Sequence, residues 1–202
     1  MMISEKFVLI VSGPSGVGKT TICNYFLEEH KNFSHPVSVT TRPPRDYEIN
    51  GQHYNFVSVE QYDAMLQSDQ LLEAVTIYGN KYGTQAQLVE AQLIQHNLIF
   101  NVDNSGMKKI KDFFKDKANV ATIFILPPSI EALCNRIEFR GDKDGKTKER
   151  NDKAFYEIQT ADQYDYIIMN DDLETAKVQF FAIYDVLYLQ TQRKYLSKLF
   201  IK

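Results

Sequence analysis

Apolar residues in this chain gather in short runs separated by stretches with helical spacing. Phe7-Val8-Leu9-Ile10-Val11, Leu98 to Asp103, Val120 to Leu126 and Tyr164 to Asn170 are too short for helices and largely continuous in hydrophobicity. That is the pattern of parallel strands buried on both faces. Between them the spacing predicts helices from Thr21 to Leu27 (Ile22, Phe26 and Leu27 inward), Gln85 to Gln95, Met107 to Phe114, Ile130 to Phe139 and Phe155 to Ala161. A long last helix over 173–200 carries Ala176, Phe180, Ile183 and Leu187 on one stripe. Pro127-Pro128 stops the strand before it, and Ser129 caps the helix that follows. Strand alternating with helix predicts an α/β fold with a parallel sheet flanked by helices.

The stretch 36–96 breaks this rhythm. Pro36 to Arg45 reads as a short strand running into a proline-fixed loop, and Asp46 to Gln52 as a polar turn. Its Asn50-Gly51 is a hairpin signal, with His53 to Val57 as the returning strand. Val59 to Leu71 then reads as a helix with Tyr62, Met65 and Leu66 on one face. Leu72 to Tyr78 follows as a strand, and Gly79 to Thr84 as a second turn. The expectation is a small mixed α+β subdomain over 36–96, inserted in a core made of 1–35, 97–136 and 153–202. Residues 137–152 form the most polar segment, with Arg140, Lys143, Lys146, Lys148 and Arg150. It reads either as a lid closing over phosphates or as a charged surface loop. The last helix ends with Leu196, Leu199 and Phe200 on one side, either core cover or a dimer contact.

The chemistry begins behind the first strand. Gly13-Pro14-Ser15-Gly16-Val17-Gly18-Lys19-Thr20 fits G-x-x-x-x-G-K-[S/T] at every fixed position, between a predicted strand and a predicted helix. Gly13, Gly16 and Gly18 free the backbone for positive φ, so that successive N–H groups form an anion cradle at a helix N-terminus. Lys19 adds a charge for the outer phosphates, and the Thr20 hydroxyl is placed for Mg²⁺. These features predict a nucleoside triphosphate site. Arg42 and Arg45, held among prolines, read either as a clamp on one anion or as two solvated side chains. Asp103, at a strand end, reads as a magnesium partner or as a helix cap.

Composition narrows the setting. The 202 residues suit one domain, and 44% hydrophobic with 24% charged residues describes an ordinary globular protein. A formal net charge of −3 gives no whole-molecule attraction to nucleic acid or an anionic membrane. No run approaches the ~18 apolar residues of a membrane span, and Met1 to Lys6 lacks the apolar stretch of a signal peptide. Cys23 and Cys134 read as free thiols, which suits a reducing cytoplasm.

With these pieces in place the chain resembles guanylate kinases. The resemblance rests on the phosphate loop, on Ser38-Val39-Thr40-Thr41-Arg42-Pro43-Pro44-Arg45, on Asn50-Gly51 with Tyr54-Asn55-Phe56, and on Gly79-Asn80-Lys81-Tyr82-Gly83-Thr84. Phe124 to Ser129, Arg140-Gly141, Tyr164-Asp165-Tyr166 and Asn170-Asp171-Asp172 continue it across nearly the whole chain. It implies transfer of the γ-phosphoryl group of ATP to GMP or dGMP, dependent on Mg²⁺, with ATP and GMP as the small-molecule partners of a monomer or homodimer. It implies that Gly13 to Thr21 and Asn170 bind ATP: Gly13, Pro14, Ser15, Gly16, Val17, Gly18, Lys19, Thr20, Thr21. Arg42, Arg45, Tyr54 and Tyr82 would hold the GMP phosphate, and Ser38, Glu73 and Thr84 would read guanine, with Gly83, Asn101 and Asp103 nearby. Lys19, Arg42, Arg136, Arg140 and Arg150 would carry catalysis, and Thr20 and Asp103 the metal, the latter through water. Two positions depart from the family pattern: Asn101 stands where its first strand-end acid belongs, and Ser105 where a glutamine is usual. The lid is also one residue short of bacterial relatives. The alternatives are a guanylate-kinase-like binding module with weakened catalysis, or a kinase for another nucleoside monophosphate.

Overall fold

The computed structural model describes residues 6–77, 79–139 and 147–200, apart from the side chains of residues 137–139, 147–152 and 194–200. Tyr78, Arg140 and the rest of 140–146, and the side chains of Arg150, Leu196, Leu199 and Phe200, lie outside the described residues.

The buried runs become one all-parallel sheet in the order β2-β7-β1-β8-β9. Its strands are β1 (Phe7–Ser12), β2 (Phe33–Ser34), β7 (Asn97–Asn101), β8 (Asn119–Leu126) and β9 (Tyr166–Met169). The edge strand β2 falls in a segment that reads as a polar connection, and its two residues are too few to show a pattern. Side chains of β1 alternate between two cores, as strand geometry requires. Phe7, Leu9 and Val11 pack with Ile22 and Phe26 of α1 (Lys19–Glu29) and with Phe180 and Tyr184 of α7 (Leu173–Phe200). Val8 and Ile10 pack on the opposite side with Val89 and Leu93 of α3 (Ala86–Gln95) and with Met107, Ile110 and Phe114 of α4 (Asn104–Phe114). Ile183 and Leu187 lie partly buried against the first core, so the predicted α7 stripe faces inward. Because β1 sits between β7 and β8, its carboxyl end opens at the middle of the sheet, where α/β folds bind ligands.

Residues 39–85 form a second sheet, in the order β4-β3-β6-β5. Its strands are β3 (Val39–Thr40), β4 (Asn55–Phe56), β5 (Leu71–Ile77) and β6 (Asn80–Gln85), with α2 (Val59–Gln67) between β4 and β5. Three expectations fail here. The strand after Asn50-Gly51 does not return antiparallel, because β4 pairs parallel with β3, Val39 opposite Asn55. The turn closes on itself instead: Gly51 N–H donates to Tyr54 C=O, and Asn50 Oδ1 accepts from Phe56 N–H. Gly79 alone turns, with φ 82°, and most of the segment expected as a turn is strand β6, antiparallel to β5. Gly83 in that strand is favoured by close packing, since a Cβ would lie 3.0 Å from the Glu73 carbonyl and 3.2 Å from the Tyr62 hydroxyl. Finally, α2 stops at Gln67 and buries only Tyr62 of the expected face, leaving Leu66 exposed.

The end of the polar segment is helical: α6 (Thr147–Ile158) begins well before Phe155, whose side chain and that of Tyr156 are exposed. Helix α5 (Ile130–Phe139) is capped by the Ser129 hydroxyl, which accepts from Ala132 N–H at 3.0 Å. Among the described residues no helix is long and apolar enough to cross a membrane. Cys23 and Cys134 are free, and burial pushes the Cys23 thiol up to about 12, which makes it an inert core group.

Candidate active site

The turn between β1 and α1 takes the shape its glycines allow. Gly13, Gly16 and Gly18 have φ of 142°, 86° and 101°. At Gly13 any Cβ would sit 2.4 Å from the Ile125 carbonyl oxygen, so the tight turn and the neighbouring strand together demand glycine. Val17 is buried beneath the turn, its N–H donating to Pro14 C=O and its own C=O accepting from the buried Asn170 side chain at 2.7 Å. Lys19 reaches back along the turn, donating to the carbonyls of Gly13 (2.6 Å) and Pro14 (3.0 Å). Thr20 is exposed, its hydroxyl accepting from Asn101 Nδ2 at 3.1 Å.

Two clefts meet at this turn. One, of about 540 Å³, is lined by Gly16, Gly18 and Thr21 together with Asn135, Arg136, Asn170, Asp171 and Leu173. Arg136 is held there by the Asn170 carbonyl at 3.0 Å and lies farther from the Asp171 carbonyl, at 3.4 Å. The other, of about 320 Å³, is lined on one wall by Gly13, Ser15 and Lys19 and on the facing wall by Ser38, Tyr54, Glu73 and Tyr82. Asn101 and Asp103 form its floor, and Lys153 and Glu157 of α6 close a third side.

The facing wall carries the polar apparatus expected of a base-reading site. Glu73 on β5 is buried, and Thr84 on β6, directly opposite in register, donates its hydroxyl to Glu73 Oε1 at 2.8 Å. Ser38 Oγ lies 3.5 Å from the Thr84 hydroxyl. Burial pushes the Glu73 carboxyl above its usual range, the Thr84 hydrogen bond opposes this, and the charge of Asp103 adds to the rise. Arg42 stands behind the wall. Its guanidinium lies 5.5 Å from the Tyr54 ring centre and beside Tyr82, while one nitrogen donates to Glu48 Oε1 at 2.7 Å and another to the Pro43 carbonyl at 2.7 Å. Glu48 also accepts from Arg45 N–H at 2.7 Å, so one carboxylate pins the whole proline loop. The Arg42 partner holds the Glu48 carboxyl down to about 2. Arg45 itself is exposed and donates to the Tyr47 hydroxyl at 3.0 Å.

The chain is similar to known proteins along most of its length. A family model described as Guanylate kinase matches residues 5–183. A guanylate kinase of Agrobacterium fabrum is 43% identical over 173 residues, 84% of this chain and 77% of its own. One from Ehrlichia canis is 38% identical over 200 residues, 98% of this chain and 95% of its own. The crystal structure of guanylate kinase from Anaplasma phagocytophilum superposes with a TM-score of 0.71 at 29% identity, covering 95% of this chain and 89% of that one. The chain belongs to the guanylate kinase family.

In this guanylate kinase family member Asn101 ties the end of β7 to the first turn of α1 through Thr20, a link the neutral amide can donate and a carboxylate could not. Asp103 caps α4, its Oδ1 accepting from Gly106 N–H at 2.9 Å, and still lines the cleft. Among the described residues no group of three or more His, Cys, Asp and Glu side chains could hold a metal. Mg²⁺ needs no such cluster, since it takes one or two protein ligands and keeps water and phosphate oxygens for the rest. The exposed Thr20 hydroxyl and the cleft-lining Asp103 carboxylate fit such a role. Lys153 and Glu157 are the charged residues of the second cleft that motif reading does not find; a Lys–Glu pair four apart on the helix after a basic segment is the signal they leave.

Proposed function

We infer that the chain transfers the γ-phosphoryl group of ATP to GMP or dGMP, with Mg²⁺, giving ADP and GDP. One observation carries this reading: a single cleft has the phosphate-binding turn on one wall and the Glu73–Thr84–Ser38 group on the other. The adenosine of ATP takes the cleft lined by Arg136, Asn170 and Thr21, with its phosphates lying along Gly13 to Thr20. Guanine is read by Glu73, whose carboxylate matches the paired N–H donors that adenine lacks. Ser38 and Thr84 complete the hydrogen bonding, while Arg42, Arg45, Tyr54 and Tyr82 hold the GMP phosphate.

Catalysis is then positioning and charge neutralisation, without a covalent intermediate. Lys19 leaves its carbonyl partners for the outer phosphate oxygens. Thr20 and, through water, Asp103 would hold Mg²⁺, which would supply charge neutralisation when bound. A phosphate oxygen is a sufficient acceptor without a general base. The segment 137–152, with Arg140 and Arg150, closes over the reacting groups and keeps water from taking the phosphoryl group. Residues 36–96 form the GMP-binding region of this design, and the remainder the core.

The test is an ADP-release assay with ATP, Mg²⁺ and each of GMP, dGMP, AMP, CMP and UMP. GMP and dGMP should support turnover, with the others lower by orders of magnitude. Equal rates with AMP, or turnover with UMP or CMP alone, would assign another acceptor. ATP binding with no turnover for any of them would point to the binding-module alternative.

A further inference from the structure

The cleft has a cation on its third side that no matched motif accounts for. Lys153 sits on α6, one helical turn before Glu157, and both side chains line the cleft with Lys19 and Asp103. The Glu157 side chain is only 17% exposed, and its carboxyl is pushed above the usual range by burial, against the pull of Lys153 and Lys19. A buried carboxylate facing a phosphate-binding turn is costly unless cations stand near it.

Among the described residues Lys153 is held differently from Arg42 and Lys19. Arg42 is fixed by two hydrogen bonds of 2.7 Å, and Lys19 by bonds of 2.6 and 3.0 Å to backbone carbonyls. The Lys153 ammonium stands 3.6 Å from Glu157, beyond hydrogen-bond length, and its side chain is 42% exposed. The order of the pair, lysine before glutamate, is also the weaker one for helix stability. Glu157 therefore steers this lysine toward the cleft without clamping it.

We propose that Lys153, positioned by Glu157, is an additional phosphate-binding cation that engages the phosphoryl oxygens lying between the two nucleotides. This rests on the phosphotransferase reading above and adds to it a residue carried by the helix that ends the lid segment. An ammonium reaching from α6 neutralises charge that builds up only when both nucleotides are bound, since neither alone brings phosphates to both walls.

The experiment measures binding of ATP alone, GMP alone, and a bridged inhibitor in which guanosine and adenosine are joined by five phosphates. The parent protein, Lys153→Met, Lys153→Arg and Glu157→Gln are compared, with thermal unfolding as a check on folding. Lys153→Met should weaken the bridged inhibitor about ten-fold, the range of one charge-assisted hydrogen bond, and leave each single nucleotide within about two-fold. Lys153→Arg should restore most of the loss, and Glu157→Gln should show a smaller loss of the same kind. Bridged-inhibitor affinity unchanged in Lys153→Met, or lost equally with that of ATP or GMP alone, overturns the proposal. Failure of the parent protein to bind the bridged inhibitor would instead strike at the phosphotransferase reading itself.

Discussion

The two walls of the central cleft are built in different ways. The phosphate-binding turn is backbone chemistry: three glycines at positive φ, packed against β8 by Gly13 and against β9 by Val17, with Lys19 folded along it. The facing wall is side-chain chemistry, assembled by strand register from residues far apart in the chain. Thr84 meets Glu73 because β5 and β6 pair there, and Ser38 joins them from the strand end next to β6. The first wall can bind any phosphate chain, since amides and a lysine read charge and carry no information about a base. On the proposed reading the second wall would discriminate, because a buried Glu73 not matched by the donors of a base would be left short of partners.

The largest effect expected from this division is at Lys19. Lys19→Met should lower kcat about 10³-fold, the scale of losing a transition-state charge partner, with the circular dichroism spectrum and unfolding midpoint unchanged. Near-normal turnover would remove the turn from catalysis. Next comes Glu73→Gln, which should reduce the preference for GMP over AMP about 10²-fold while leaving ATP affinity alone. An unchanged ratio would place base recognition elsewhere.

A third prediction separates backbone from side-chain construction. Gly13→Ala forces a Cβ toward the Ile125 carbonyl at positive φ and should cost about 1–3 kcal/mol of stability, read as a fall in unfolding midpoint along with weaker ATP binding. Tyr82→Phe on the facing wall should raise KM for GMP several-fold with the midpoint unmoved. If the two substitutions behaved alike, the contrast between the walls would be lost. The smallest effect is at the proline loop. A carboxyl whose folded pKa is depressed contributes stability above its ordinary value of 4.5, and that contribution disappears as pH falls from 4.5 toward about 2. The gap in unfolding midpoint between the parent and Glu48→Gln should therefore hold steady at neutral pH and close across that window. A gap that stays constant down to pH 2 would show that the Arg42–Glu48 pair contributes nothing.

The same contrast explains what the sequence made legible. Gly13 to Thr20 could be read directly because the residues that build the turn are contiguous and each has a fixed task. The inner strands β1, β7 and β8 are legible because they are covered on both faces and each carries a nearly unbroken apolar run. The second sheet is not. Asn50-Gly51 carries the chemistry of a hairpin, but its hydrogen bonds are satisfied within the loop by Tyr54 and Phe56, so it need not join antiparallel neighbours. Gly83 looked like a turn glycine because composition cannot tell a glycine kept for φ from one kept for space. Ser38, Glu73 and Thr84 were named through family resemblance, and the hydrogen bonds joining them come from strand pairing that no single stretch encodes. Lys153 and Glu157 were hidden for a similar reason: which face of α6 meets the cleft depends on where the helix begins, and that lies inside a segment read as a polar lid.

The central claim is that the two walls bring two nucleotides into direct contact, so that a phosphoryl group passes between them without visiting water. The most direct test follows ATP labelled in its γ-phosphate, incubated with the protein, Mg²⁺ and GMP, and asks where the label goes. Labelled GDP should form with almost no labelled inorganic phosphate, and little label should be released when GMP is left out. Label appearing mainly as inorganic phosphate, at a rate indifferent to GMP, would contradict it.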